Sequence, residues 1–140
     1  MRLIAICLML CSGLSYAATK HAPFPDAVLS AKTIFIVNKS GFQSTADGAY
    51  EAFTKWGAFT IVSDRAKADL IVTLTYAGDE QVHGTSTWGD FDMDITLRGE
   101  EDTVFSAASS GGGFYMPSAR GGAAAKDCVN QFKKRFQEAH

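Results

Sequence analysis

The chain has 140 residues, 46% of them hydrophobic, with 13 Lys+Arg against 15 Asp+Glu and a formal net charge of −2. That apolar content is enough for one compact core. The mildly acidic balance excludes the concentrated basic stripe that nucleic-acid binding requires, the nearest approach being Lys133-Lys134-Arg135.

The first residues read as an export leader: Arg2, a short apolar run from Leu3 to Cys11, the breaker Gly13, then Ser15-Tyr16-Ala17-Ala18. The small-x-small step places cleavage after Ala17 or Ala18, so 1–17 is expected to be a Sec-type signal peptide and the working protein periplasmic or extracellular. The run falls short of the ~20 residues that span a bilayer, so no stable membrane span is expected after processing. A lipoprotein signal fits poorly, because Leu10 precedes Cys11 and Ile6 precedes Cys7 where a small residue is needed. Trimming removes Arg2, Cys7 and Cys11, leaving 12 basic against 15 acidic residues, a charge near −3, and Cys128 as the one cysteine.

Residues 18–31 read as an irregular lead-in, with Pro23 and Pro25 opposing helix. A single domain is expected over 32–140. Thr33-Ile34-Phe35-Ile36-Val37-Asn38 is β-branched and nearly all apolar, the pattern of a central strand covered on both faces. After a loop, Ser44-x-x-Asp47 resembles a capping box, and Ala46, Ala49, Tyr50, Phe53 and Trp56 form a helical stripe that Gly57 ends. Phe59–Val62 is a short strand, and Asp69–Tyr76 is the longest β-like run in the chain. Phe91-Asp92-Met93-Asp94-Ile95-Thr96-Leu97-Arg98 alternates strictly, as a strand with one wet face does, and Thr103–Ala108 returns from it as a hairpin. Gly-rich loops are expected at 78–90 and 109–122. The last segment is a helix with Ala125, Cys128, Val129, Phe132 and Phe136 facing inward, and its terminal cations suit the helix dipole. The order β-α-β-β-β-β-α predicts an α+β two-layer sandwich: one mixed sheet of about five strands with two helices on one face.

Chemical motifs are thin. Asp90-x-Asp92-x-Asp94 with Glu101 has calcium-loop spacing, but Ile95 stands where the loop needs glycine and the alternation demands an extended strand. His21, His83 and His140 show no ligand spacing, so no metal and no cofactor are expected. No nucleophile elbow exists, and the glycine runs lack phosphate-loop spacing. The alternative to a non-enzymatic protein is a small hydrolase or metal-dependent enzyme using the Asp79/His83/Asp90/Asp92 region. Cys128 falls on the inward helical stripe, which favours a buried small hydrophobe over a disulfide-linked dimer.

If the last three strands are consecutive antiparallel neighbours, loops 78–90 and 109–122 leave the sheet at one end. They carry Trp88, with Phe91 adjoining, and Phe114, Tyr115, Met116 and Arg120, residue types enriched at the centres of interfaces. These six are the candidate binding residues, for an envelope protein whose identity the sequence does not give. The competing reading has Trp88 and Phe114 folded back as lids on the core.

The run Thr33–Asn38, then Ala49-Tyr50-x-x-Phe53-x-x-Trp56-Gly57-x-Phe59-x-Ile61-Val62, then Ala68-Asp69-Leu70-Ile71-Val72, is similar to uncharacterised small bacterial secreted domains. More remotely, it resembles the amino-terminal domain of TolB and the periplasmic domain of the curli-secretion lipoprotein. The likeness spans about residues 32–137 as a pattern of apolar positions. There is no lipobox, propeller or pore-forming segment. What it implies is a bacterial envelope setting and a protein-binding or assembly role, with no catalytic residue.

Overall fold

A computed structural model describes residues 22–78, 89–110 and 117–140. The elements in chain order are α1 (Asp26–Leu29), β1 (Thr33–Asn38), α2 (Gln43–Trp56), β2 (Thr60–Ile61), a 3-10 turn (Arg65–Lys67), β3 (Leu70–Gly78), β4 (Gly89–Leu97), β5 (Thr103–Ser110) and α3 (Pro117–Glu138). One five-stranded sheet has the order β2-β1-β3-β4-β5. β1 runs parallel to β2 and β3, while β3, β4 and β5 form an antiparallel meander. The α+β class and the single mixed sheet are as the sequence predicts.

Strand alternation sorts the side chains. Ile34 and Ile36, Leu70, Val72 and Leu74, Phe91, Met93 and Ile95, and Ala107 are all buried beneath α2 and α3. The register keeps them in rows: Ile34 beside Leu70 beside Leu97, and Leu74 beside Met93 beside Ala107. Phe53, Phe59 and Phe132, with half-buried Trp56, close the core from the helix side; the Trp56–Phe59 centroids are 5.1 Å apart and edge-on. Each large side chain buried here contributes about 1.5–3 kcal/mol. Gly57, at φ +74°, ends α2 in the left-handed conformation that glycine adopts without penalty.

The helices meet at glycine. A Cβ on Gly48 of α2 would lie 2.6 Å from Gly122 Cα and 2.8 Å from its carbonyl carbon, so only hydrogen fits between these backbones. Beside this crossing Lys126 Nζ pairs with Glu51 at 2.6 Å, both side chains well exposed; such a pair contributes at most about 1 kcal/mol.

Several expectations are corrected. α3 begins at Pro117, so Arg120, Gly121 and Gly122 lie in a helix rather than in a loop. Proline suits a first helical turn, and the glycines there serve close packing. The capping box does not form. Phe42 is the N-cap without a side-chain bond, and Asp47 Oδ1 instead accepts from Gln43 Nε2 at 3.0 Å. Tyr50 is 45% exposed, because the small residues Thr45, Gly48 and Ala49 are the ones turned to the core and α3. Only one face of β1 is fully buried: Ile34 and Ile36 are buried, Phe35 and Val37 half-buried. The lead-in includes one helical turn, α1, which starts just after Pro25 and buries Val28.

The opposite end is tied by Asp69. Its Oδ2 accepts from the Lys32 N–H (2.8 Å), the Thr33 N–H (3.0 Å) and Thr33 Oγ1 (2.9 Å), joining the starts of β1 and β3. Those donors, the Lys32 N–H foremost, hold its carboxyl below the usual carboxylate range against the opposing effect of burial.

Candidate functional site

The meander dictates where chain excursions leave the sheet. Gly78 pairs with Gly89, and Asp90 with Ser110, so the stem of 79–88 and the β5 stem of 111–116 are adjacent at one end. α2 and α3 also begin there, neither with an acidic residue in its first turn. The positive ends of two helix dipoles therefore share this end with the stems.

Its floor is aromatic. Tyr76 and Phe91 are cross-strand neighbours with centroids 4.8 Å apart, and Phe42 meets them edge-on at 5.4 and 6.0 Å. Tyr76 lies flat over Gly78 and Gly89, where a Cβ on either would strike its ring. Phe42 is held by the turn before α2. Asn38 Oδ1 accepts from the Ser40 N–H (3.1 Å) and Oγ (2.7 Å), Asn38 Nδ2 donates to Phe42 O (2.9 Å), and the Phe42 N–H donates to Ser40 Oγ (3.2 Å). Two buried hydroxyls, Tyr76 OH and Thr45 Oγ1, have no hydrogen-bond partner among the described residues. Thr45 Oγ1 abuts Gly121, with Phe91 at the same point.

Of the six candidate binding residues, Trp88, Phe114, Tyr115 and Met116 lie outside the described residues. Phe91 is 2% exposed and forms core wall rather than surface, since its strand alternation turns it under the helices. Arg120 is half-buried in the first turn of α3. Sequence reading left out Phe42 and Tyr76. The signal for Phe42 was the Asn38-x-Ser40-Gly41 turn, where short polar side chains cap a backbone reversal.

The enzyme alternative needs Asp79 and His83, which lie outside the described residues, with Asp90 and Asp92. Asp90, Asp92 and Asp94 point to the helix-free face of β4, where extended backbone sets them about 7 Å apart. Asp94 Oδ1 accepts from Ser106 Oγ at 2.6 Å. Partial burial, then the charges of Asp90 and Asp94, raise the Asp92 carboxyl above its ordinary range. Among the described residues no group of three or more His, Cys, Asp or Glu could hold a metal ion. Cys128 is 1% exposed, its Sγ 3.7 Å from Phe91 O and 3.8 Å from Ala107 O. Burial, with the charges of Asp127 and Asp92, pushes its thiol up to about 12. Among the described residues no helix is long and apolar enough to cross a membrane.

No protein-family model matches the chain, and no curated protein matches it. Among solved structures it is similar to the PelC dodecamer from Paraburkholderia phytofirmans at 12% identity, covering 77% of this chain and 93% of that one with a TM-score of 0.49. It is also similar to a minor lipoprotein from Acinetobacter baumannii at 16% identity, covering 76% and 91%, TM-score 0.42. A third is an uncharacterised lipoprotein B from Nitrosomonas europaea at 10% identity, covering 77% and 79%, TM-score 0.41.

Proposed function

We propose that this protein is a non-enzymatic accessory domain of the bacterial envelope that binds a partner protein at the loop end of its sheet. The observation that carries the reading is the convergence just described: adjacent strand stems and two helix starts around the Phe42–Tyr76–Phe91 floor. The segments issuing from those stems contain Trp88, Phe114, Tyr115 and Met116, side chains that give large contact area at low entropic cost. Arg120, in the first turn of α3, adds a cationic side chain at this end of the sheet. The leader-like N-terminus supports an exported location, and the likeness to TolB and curli-secretion domains supports an assembly role.

The test is the double substitution Trp88→Ala/Tyr115→Ala. We expect a melting temperature within about 2 °C of the parent, as for surface changes, with loss of the partner from affinity capture out of envelope extract. A drop of 10 °C or more would mark both rings as core and overturn the reading, as would undiminished capture.

A further inference from the structure

α2 and α3 run parallel, with their starts side by side. Ser44 and Thr45 are level with Gly121 and Gly122, and Glu51 with Lys126. Two positive dipole ends therefore stand together, each equivalent to roughly half an elementary charge. An acid in the first turn would offset such an end, and neither helix has one. The nearest acid along α2, Asp47, is hydrogen-bonded to Gln43 Nε2, and Asp90 lies on the helix-free face of β4. Lys39, which follows β1, and Arg120, in the first turn of α3, are full positive charges at the same end.

Between the two starts stands Thr45, 1% exposed. A Cβ on Gly121 would overlap its Oγ1 and come within 3.1 Å of Ser44 Oγ, so the hydroxyl points from α2 across to α3. It has no hydrogen-bond partner among the described residues. A buried hydroxyl in that state is costly, and an acceptor placed against it removes the cost. Packing alone would be met by valine, which has the shape of threonine without the hydroxyl.

We infer that, on the reading proposed above, the seam between the α2 and α3 starts takes a carboxylate of the partner protein, from an Asp, a Glu or the chain terminus. The N–H groups that open both helices donate to its oxygens, and Thr45 Oγ1 donates between them.

Acetate is the probe, titrated into the purified protein against chloride at equal ionic strength and followed by amide NMR. We expect saturable shifts at Gln43–Thr45 and Arg120–Gly122. Thr45→Val should keep or raise the melting temperature and weaken acetate binding about tenfold, whereas Thr45→Ser, which retains the hydroxyl, should bind as the parent does. Should Thr45→Val fail to fold, Thr45→Ala against Thr45→Ser carries the same contrast. Shifts no different from those in chloride, or equal binding without the hydroxyl, overturn the inference. Inorganic phosphate should bind less than about tenfold tighter than acetate; a larger preference assigns the seam to a phosphate group and overturns the carboxylate. Partner capture by Trp88→Ala/Tyr115→Ala is read separately. Capture lost there, with a flat acetate titration, sinks the carboxylate and leaves the loop-end reading standing. Acetate binding with capture undiminished keeps the anion seam and sinks the loop-end partner.

Discussion

Gly48→Ala turns the helix crossing into a measurable sign. In an exposed helix, glycine to alanine gains about 1 kcal/mol from propensity. Here the new methyl would sit 2.6 Å from Gly122 Cα, against the 3.5–4.0 Å at which carbon atoms rest, so α2 and α3 must part by about 1 Å. The obstacles are backbone atoms, which no rotamer change can clear. Overpacking of this kind costs about 3 kcal/mol at its upper range. The net is a destabilisation of about 2 kcal/mol, or about 8 °C in melting temperature for a domain this size. Gly122→Ala is the internal control: its nearest contact is Ser44 O at 3.0 Å, so squeeze and propensity nearly cancel and stability stays within about 0.5 kcal/mol. Urea unfolding followed by circular dichroism reads both. A Gly48→Ala variant as stable as the parent, or more so, would refute the close crossing and with it the placement of α3 from Pro117.

Asp69→Ala should cost about 1.5–3 kcal/mol at neutral pH, the range for hydrogen bonds to a charged group. Because the folded carboxyl is depressed, its contribution is fully present above the unfolded value near 4 and is lost as pH falls through the lower folded value; acid titration of stability should be flatter in the variant. Cys128 should resist a thiol reagent at pH 8 in the native protein and react on unfolding. Its raised pKa makes the stabilising difference complete below the unfolded value near 8.5–9 and lost as pH climbs toward 12. Tyr76→Phe removes a buried hydroxyl that has no partner among the described residues, so stability should hold or rise by up to about 1 kcal/mol. A loss above 1 kcal/mol by chemical denaturation would mean the hydroxyl is bonded.

The sheet was legible because period-2 alternation is a local signal: 91–98 was read almost as it lies in β4, and the inward stripe of α3 from Ala125 to Phe136 is buried at every predicted position. What escaped depends on contacts distant in sequence. Gly121-Gly122 looks like loop composition until Gly48 is seen to demand a neighbour without a Cβ. Tyr50 sits on an apolar helical period, yet faces out because the packing centre of α2 is set by its small residues. At the candidate site, the alternation that turns Phe91 inward was visible in the sequence. The role of Phe42 was not, since it rests on rings from β3 and β4.

The claim that the loop end is the binding face is tested most directly by a photoreactive side chain placed at position 88 in the native cell, with position 51 on the outer face of α2 as the comparison. The account predicts a discrete crosslink to one envelope protein from position 88 and none from 51. Crosslinks from 51 with a silent 88 would put the partner on the helix layer and contradict it.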